Sequence, residues 1–407
     1  MTASAAVGTA TVQPTTPGYD AVLLAGFGGP EGPDDVMPFL RNVTRGRGIP
    51  DERLKEVSHH YLALGGRSPI NEQNRALQAA LAAELDLPVL WGNRNWAPFI
   101  GDVLRDAHGS GLSRLLGVAT SAYSSYSSCR QYREDFGMAL QATDLVGSVR
   151  IDKVRPYFDL PGFRAPFVDG TVAAVRAAAL AGIGVGDLEV VFTTHSIPNT
   201  MADTSGSAAL GDHGDGGAYV AQHLAVAAAV VDDVAAIVGE VPAWQLAYQS
   251  RSGPPSVPWL DPDVNDVITA LAAAGRRGVI VAPIGFVSDH VEVIWDLDRE
   301  AADTAQEAGL FFARVGTPGT DPRFVADLAA LIRERLDTGP DPRPDRFAGL
   351  AGVPRRPDFC ASGCCGNSRV TRPTTAAVDS ATDWQGLGVA SERLAASGIP
   401  GVGTTSS

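Results

Sequence analysis

The sequence predicts an α/β protein with two Rossmann-like domains whose parallel sheets face one cleft. Three observations lead to this prediction. Near-continuous apolar runs rich in β-branched residues recur along the chain, and such runs are typical of strands that are buried on both faces. Helical segments separate these runs, as they do in βαβ units. The order of strands and helices in the second half repeats that of the first, and 407 residues suffice for two domains of ordinary size.

The first half contains the elements of one such sheet. Its predicted strands cover residues 19–26, 89–93, 115–120 and 149–154. The first strand ends in Phe27-Gly28-Gly29-Pro30, and glycines at a strand end let a ligand approach the backbone closely. Ser68, with Pro69 at the first helical position, predicts the N-cap of a helix. A run of small hydroxyls and tyrosines that includes Cys129 follows the third strand, over residues 121–132.

The second half begins near residue 159 and repeats the pattern. Strands are predicted over residues 188–193, 243–249 and 279–286, and helices over 167–181, 218–238 and 263–274. His195 follows the first of these strands, and open α/β sheets bind their ligands at the carboxyl ends of strands. A lone histidine is more often a structural residue, but Glu292 follows the last of these strands in a parallel position. His195 and Glu292 are therefore candidate site residues.

Glu292 is the first of three acidic residues that recur at every fourth position, with Asp296 and Glu300. A helix that begins near His290 would place the three carboxylates, here called the acidic ladder, on one face. Like charges at that spacing repel each other, so the ladder is either a solvated acidic face or a carrier of divalent metal or protons. Its position after a buried strand favours the second interpretation.

The net charge of −14 argues against nucleic acid as a partner, because no broad basic face is available. An anionic substrate would need a local cluster of cations, and Arg41, Arg45 and Arg47 form one, although a basic helix end also complements the helix dipole. No apolar run is long enough for a membrane span. The first eighteen residues lack the features of a secretory signal, so we expect a cytoplasmic protein.

Three of the four cysteines, Cys360, Cys364 and Cys365, lie within six residues of one another. Structural disulfides are rare in cytoplasmic proteins, so this spacing favours a metal or cluster site. The cysteine segment follows a stiff linker rich in Pro and Asp at residues 338–347, and sequence of low complexity begins at about residue 376.

Seven segments, taken in order, resemble the ferrochelatase family, the enzymes that insert ferrous iron into a porphyrin. They are LLAGFGGP, HYLALGGRSPIN, GNRNWAPF, residues 121–132, FTTHSIP, YQSRSGPPSVPWLDP and PIGFVSDHVEVIWDLDRE. The resemblance covers roughly residues 19 to 330 and implies two chelatase-type domains with the porphyrin in the cleft between them. The expected organisation is a disordered arm (1–18), an N-terminal domain (19–158), a C-terminal domain with the metal site (159–337), a linker and cysteine-bearing extension (338–375) and a flexible tail (376–407).

The resemblance also implies that His195 and Glu292 are catalytic and face the iron. An imidazole and a carboxylate bind Fe²⁺ reversibly and can accept the two pyrrole protons that iron displaces. Asp296 and Glu300 then continue the ladder and would pass metal in or protons out. A cleft that bends the macrocycle would offset part of the cost of insertion with binding energy.

One subset of the family carries a [2Fe–2S] cluster, with one cysteine ligand from the segment that matches residues 121–132 and three from a C-terminal extension. The corresponding residues are Cys129, Cys360, Cys364 and Cys365, and four thiolates are what such a cluster requires. The alternative is one buried cysteine with three reduced surface thiols. Because the cluster would lie outside the iron and proton machinery, we expect a structural or sensing role.

The composition, rich in Ala, Arg and Gly, is typical of actinobacteria, whose ferrochelatases resemble those that use coproporphyrin III, a tetracarboxylate. Ser68 and Tyr132 match positions that the family uses around this porphyrin, and Arg45 is a candidate partner for a propionate. Tyr61 and Trp259 are candidates to press on or flank the ring, although a buried Trp is more often part of a core.

One position departs from the pattern. Phe27 stands where some bacterial members place a Tyr that ligates iron, so that axial ligand is absent or replaced.

The main hypothesis is a coproporphyrin ferrochelatase whose product, coproheme, would pass to a coproheme decarboxylase. A protoporphyrin IX ferrochelatase, or a relative that inserts Co²⁺ or another divalent metal, is the alternative within the family. Two alternatives lie outside the family. One is a non-catalytic tetrapyrrole or iron carrier with a sensing cluster, which needs no proton acceptors. The other is a periplasmic metal-binding protein, which needs an export signal.

Overall fold

The computed structural model describes residues 18–206, 213–336, 349–350, 352–358, 363–366 and 372–375. The predicted stiff linker and flexible tail lie outside the described residues, as do Cys360 and all but the last residue of the predicted arm. Two four-stranded parallel sheets carry the fold, which confirms the predicted α/β class.

The N-terminal sheet consists of β1 (Ala21–Gly26), β2 (Val89–Asn93), β3 (Arg114–Ala119) and β4 (Arg150–Lys153), in the order β2-β1-β3-β4. The central strand β1 is buried along its whole length, with apolar neighbours from helices on both faces. Burial on both faces explains why its sequence is a continuous apolar run instead of an alternating one. The helices of this half are α1 (Val36–Val43), α2 (Asp51–Ala63), α3 (Ile70–Glu84), α4 (Ile100–Gly109) and α5 (Gln131–Ala142).

The C-terminal sheet has the same layout. It consists of β5 (Leu188–His195), β6 (Ala243–Gln249), β7 (Gly278–Ala282) and β8 (Phe311–Arg314), in the order β6-β5-β7-β8. β8 has no counterpart among the predicted strands, because its four residues are all half-buried and form no long apolar run. The helices are α6 (Pro161–Leu180), α7 (Asn199–Asp203), α8 (Gly217–Val238), α9 (Val264–Ala273), α10 (Val291–Trp295), α11 (Ala302–Glu307) and α12 (Pro322–Leu336).

One apolar core is shared by the two halves. It joins side chains of β1 and β3 to side chains of β5, α6, α8 and α12. α6 packs closely on α12, since a Cβ at Gly162 would collide with the carbonyl oxygen of Arg323. The packing that stabilises each sheet therefore also fixes one half relative to the other.

Of the helices in the described ranges, α8 alone has the length and apolar composition to cross a membrane. Its residues Val226, Val230 and Val234 are fully buried and belong to the core shared with α6. An apolar helix inside a globular core has the same composition, so burial accounts for the hydrophobicity of α8.

Candidate active site

His195 and Glu292 come together at the carboxyl ends of adjacent strands. His195 is the last residue of β5, and Glu292 lies in α10, which follows β7. β5 and β7 are parallel neighbours, with Phe192 opposite Ala282. His195 Nε2 lies 3.9 Å from Glu292 Oε2, and the two side chains are 33% and 50% exposed. The two atoms are too far apart for a direct hydrogen bond but close enough to bind one cation between them, and the pair is open to solvent.

Hydrogen bonding determines which nitrogen of His195 is available for chemistry. Its Nδ1 lies within hydrogen-bonding distance of the carbonyl oxygen of Ser196. Because a carbonyl oxygen can only accept, Nδ1 carries the proton. In the neutral imidazole the lone pair is then on Nε2, the atom nearest Glu292. A lone pair in this position can bind a divalent metal or accept a proton.

Asp296, the second carboxylate of the acidic ladder, is held by the end of β6. Ser250 Oγ donates a hydrogen bond to Asp296 Oδ2, and Gln249 Nε2 donates a longer one of 3.3 Å. Ser250 has a φ of 59°, a left-handed conformation that is uncommon for a residue with a side chain. Burial raises the pKa of Asp296 to about 7; the bond from Ser250 lowers it, and the charges of Glu292 and Glu300 raise it. This carboxyl therefore changes protonation state near neutral pH.

The spacing of the acidic ladder predicts one continuous α-helix, but the structure does not place its three carboxylates on one. α10 ends at Trp295, and a π-helical turn over Asp296–Ala301 separates it from α11. A π turn has hydrogen bonds from i to i+5, and such turns are frequent at functional sites. The prediction of a regular helix was wrong because charge spacing does not report the backbone hydrogen-bond pattern. Glu300 lies inside the turn and accepts a 2.8 Å hydrogen bond from Trp295 Nε1.

Aromatic side chains of the N-terminal half pack with Val291 of α10, the residue before Glu292. Tyr61 is buried and packs on Phe39, with ring centroids 5.9 Å apart. Burial, and then the charge of Glu292, raise the pKa of Tyr61, which places its hydroxyl in the field of that carboxylate. Phe27 packs edge-on against Phe39 and is 37% exposed, so it offers apolar surface after β1.

Other predicted porphyrin contacts lie on separate loops. Ser68 is buried, and its N–H donates to the carbonyl oxygen of Pro30. Ser68 does not cap α3, which starts one residue later than the pattern suggests and has no side-chain cap, so that prediction was wrong. Arg45 is exposed after the end of α1. Trp259 is half-buried, with its indole against the backbone of Gly253.

Tyr132 lies beneath Arg94, a residue that the sequence pattern did not single out. Tyr132 is buried, and the guanidinium carbon of Arg94 lies 4.2 Å from the centroid of its ring. Arg94 also pairs with Asp135 and donates a 3.3 Å hydrogen bond to Gln131 Oε1. Arg94 belongs to the GNRNWAPF segment that leaves the carboxyl end of β2. That position at a strand end is the signal that could have identified it.

Three of the four cysteines fall within the described residues, and all three are buried. Cys129 lies in a π-helical turn that precedes α5, and Cys364 and Cys365 lie in the C-terminal extension. Because Cys364 and Cys365 are buried, they contradict the alternative in which the three cysteines of the extension are reduced surface thiols. Cys360 lies outside the described residues, and in the described part of the chain no three His, Cys, Asp or Glu side chains converge as they would around a metal ion.

The surroundings of Cys364 and Cys365 fit a thiolate-bound metal group. Their Sγ atoms are 3.8 Å apart, and the N–H of Gly206 donates to Cys365 Sγ at 3.2 Å. Tetrahedral metal–sulfur bonds of about 2.3 Å give an S–S edge of about 3.8 Å, so two thiolates at this separation can share one metal. Arg356 is buried with Nη2 3.8 Å from Cys364 Sγ, and no described residue accepts a hydrogen bond from its Nη1. A buried guanidinium is stabilised by a nearby anion, and thiolates provide one.

Comparison with known proteins points to one family. A sequence model described as ferrochelatase matches residues 19–336. A coproporphyrin III ferrochelatase from Leifsonia xyli subsp. xyli is 54% identical over 364 residues, which cover 86% of this chain and 92% of that protein. Proteins of the same name from Streptomyces griseus subsp. griseus and Mycobacterium tuberculosis are 53% and 47% identical, over 89% and 84% of this chain and 97% and 96% of their own lengths.

Solved structures give a more distant likeness. SirB from Bacillus subtilis with Fe³⁺ is 12% identical with a TM-score of 0.43, over 78% of this chain and 95% of its own. The sirohydrochlorin chelatase SirB from Bacillus subtilis subspecies spizizenii, in complex with cobalt, is also 12% identical with a TM-score of 0.42, over 80% of this chain and 97% of its own. At this level of identity the likeness concerns the fold alone.

Proposed function

The chain belongs to the ferrochelatase family, and we propose that it inserts Fe²⁺ into coproporphyrin III to give coproheme, a reaction of heme biosynthesis. The observation that carries the insertion step is the pair of His195 and Glu292, whose Nε2 and Oε2 atoms lie 3.9 Å apart. The choice of porphyrin is supported by relatives at 54%, 53% and 47% identity that are named coproporphyrin III ferrochelatase.

Insertion requires two pyrrole protons to leave as the metal enters. The Nε2 lone pair of His195 accepts one proton, and the Glu292 carboxylate meets the incoming Fe²⁺ and accepts the other. Asp296, whose pKa is about 7, takes protons from the pair and releases them near neutral pH. Glu300, the last carboxylate of the ladder, is exposed and exchanges metal and protons with solvent.

In this proposal Tyr61 and Trp259 contact the porphyrin ring. Ser68, Tyr132 and Arg45 contact its carboxylates. A tetracarboxylate approaching a chain of net charge −14 needs local cations. Arg45 is exposed and supplies one, whereas the charge of Arg94 above the ring of Tyr132 is already paired with Asp135. Phe27 contributes apolar surface and has no atom that ligates a metal.

We further propose that Cys129, Cys360, Cys364 and Cys365 hold a [2Fe–2S] cluster. The Sγ separation of 3.8 Å between Cys364 and Cys365 and the buried cation of Arg356 support this assignment. When bound, such a cluster accepts and releases single electrons. None of its proposed ligands belongs to the iron and proton machinery, so the cluster has a structural or sensing role.

The remaining assignments follow from the same proposal. Residues 19–158 form the N-terminal domain, 159–337 the C-terminal domain with the metal site, and 338–375 the linker and cysteine-bearing extension. The protein acts in the cytoplasm, where thiols and Fe²⁺ remain reduced. Coproheme keeps its four carboxylates, so a coproheme decarboxylase is the enzyme that would consume it.

The proposal is tested by anaerobic Fe²⁺ insertion, followed as loss of porphyrin fluorescence, with coproporphyrin III and protoporphyrin IX in parallel. We expect a preference for coproporphyrin III and a fall in kcat of at least about a hundredfold for His195→Ala. His108→Ala, in an exposed residue of α4, is the matched control. A preference for protoporphyrin IX would contradict the substrate assignment and keep the reaction. Tight binding without turnover would favour a carrier.

A further inference from the structure

A ring stack joins the two halves of the protein beside the acidic ladder. The imidazole of His60, in α2, stacks on the indole of Trp295, the last residue of α10. The ring centroids are 4.2 Å apart, and the ring planes are inclined by only 7°. Both residues are half-buried, so the stack lies at the surface of the contact between the two halves.

Trp295 is bonded in turn to the last carboxylate of the ladder. Its Nε1 donates a 2.8 Å hydrogen bond to Glu300 Oε1. Glu300 is exposed, and an exposed Glu side chain otherwise samples several rotamers. The bond restricts this carboxylate to positions within reach of the indole, and the stack with His60 restricts the indole.

A second contact attaches the other end of α10 to the N-terminal half. Gln73 Oε1, in α3, accepts a 2.9 Å hydrogen bond from the N–H of Asp289. Asp289 directly precedes the N-cap residue of α10, and its carboxylate pairs with Arg314 at 3.0 Å. α10 is therefore attached to the N-terminal half near both of its ends, and its orientation depends on these contacts.

We propose that His60 is a positioning residue for metal delivery: by stacking on Trp295 it directs the Glu300 carboxylate at the outer end of the acidic ladder. This inference deepens the proposed function and rests on it. A carboxylate that is already oriented binds an incoming cation without the entropy cost of ordering a flexible side chain. None of the three side chains is among the proposed porphyrin contacts, so the effect should fall on the metal and not on the porphyrin.

Steady-state insertion kinetics, with Fe²⁺ and coproporphyrin III varied in turn, separate these two effects. We expect His60→Ala to raise the KM for Fe²⁺ about three- to tenfold, and to leave kcat and the KM for the porphyrin within about twofold. His60→Phe keeps a stacking ring and should restore most of the metal KM. Trp295→Phe keeps the ring but lacks the Nε1 donor, so it should show the same metal defect as His60→Ala. His59→Ala, in the exposed neighbouring residue, is the matched control.

His60 should act through Trp295, and Trp295 should act through Glu300. The double variant Trp295→Phe/Glu300→Gln should therefore show no larger metal defect than Glu300→Gln alone, because without the carboxylate the indole donor has nothing to position. Hydrogen–deuterium exchange over residues 289–301 in the ligand-free protein gives a readout that is independent of activity. We expect faster exchange there in His60→Ala and wild-type exchange in His60→Phe, with thermal melts to confirm that each variant folds.

Two results would overturn the inference. An unchanged KM for Fe²⁺ in Trp295→Phe would show that the bond to Glu300 has no part in metal delivery. A rise in the porphyrin KM that matches the rise in the metal KM would show that the stack only holds the halves together. If the wild type itself fails to insert Fe²⁺, the proposed function is wrong, and the exchange data still decide whether His60 orders the segment.

Discussion

The raised pKa of Asp296 predicts a pH-dependent cost to the folded state, which Asp296→Asn should remove. Burial raises this pKa from 3.8 to about 7, although Ser250 and Gln249 both donate hydrogen bonds to the carboxylate. Asparagine has nearly the same shape and offers an oxygen to the same donors, but it does not ionise. The substitution therefore isolates the titration of one carboxyl while it keeps the local packing.

The sign and size of the effect follow from the two pKa values. Below about pH 4 the carboxyl is protonated in the folded and the unfolded chain, so both proteins should have equal free energies of unfolding. Between about pH 4 and 7 the Asp296 carboxyl is ionised only in the unfolded chain. The wild type therefore loses about 1.4 kcal/mol of stability per pH unit relative to the variant. Above about pH 7 the difference levels off, at about 4 kcal/mol for a pKa raised from 3.8 to about 7.

Urea unfolding of the two proteins between about pH 5 and pH 8 measures this difference, because the titrations of groups distant from Asp296 are common to both proteins and cancel. We expect Asp296→Asn to be more stable by about 1.5 kcal/mol at about pH 5 and by about 4 kcal/mol at about pH 8. Asp303→Asn, in an exposed residue of α11, is the matched control. A stability difference that does not change with pH would refute the argument that the folded chain keeps Asp296 protonated below neutral pH.

Other substitutions probe the surroundings of the site. Ser250→Ala removes a hydrogen bond that lowers the pKa of Asp296, so the acid limb of the insertion rate should move up by about half to one pH unit, and an unmoved limb would contradict this. Gly26→Ala should lower the free energy of unfolding in urea by about 1–3 kcal/mol, because its Cβ would lie 2.5 Å from atoms of two buried asparagines. Arg356→Gln removes the buried cation beside the cysteines and should reduce the iron and acid-labile sulfide content, whereas Arg356→Lys should retain most of it; equal contents would refute a role for the charge.

Strands bounded by clear turn signals were the most predictable part of the fold. β2 and β6 have the bounds that the sequence predicts, because each is rich in apolar and aromatic residues and directly follows a proline, Pro88 or Pro242. The short strand β8 carries no such signal, since all of its residues are half-buried. The π-helical turn over Asp296–Ala301 could not be predicted either, because α- and π-helical turns share nearly the same side-chain pattern over a few residues.

The candidate site likewise contains features that the sequence could identify and features that it could not. His195 and Glu292 could be identified because each follows a buried strand, and parallel neighbours bring their carboxyl ends to one edge. The same strand-end signal could have identified Arg94, but its contact with Tyr132 and the bond from Ser250 to the ladder could not be predicted, because the packing of separate elements creates them. The sequence therefore predicts which strand ends carry chemistry, and tertiary contacts determine the protonation and orientation of the groups there.

The described parts of the C-terminal extension contact both halves of the protein. In the N-terminal half, a Cβ at Gly137 of α5 would lie 2.5 Å from the carbonyl oxygen of Pro373. In the C-terminal half, the N–H of Cys365 donates to the carbonyl oxygen of Gly206 at 3.4 Å, and the N–H of Gly206 donates to the Cys365 thiol at 3.2 Å. Gly206 lies shortly after α7, in the segment that follows His195. The cluster that we propose would therefore lie one hydrogen-bonded contact from the segment that follows His195, and it would reach the site through that segment without contributing a group that touches the iron.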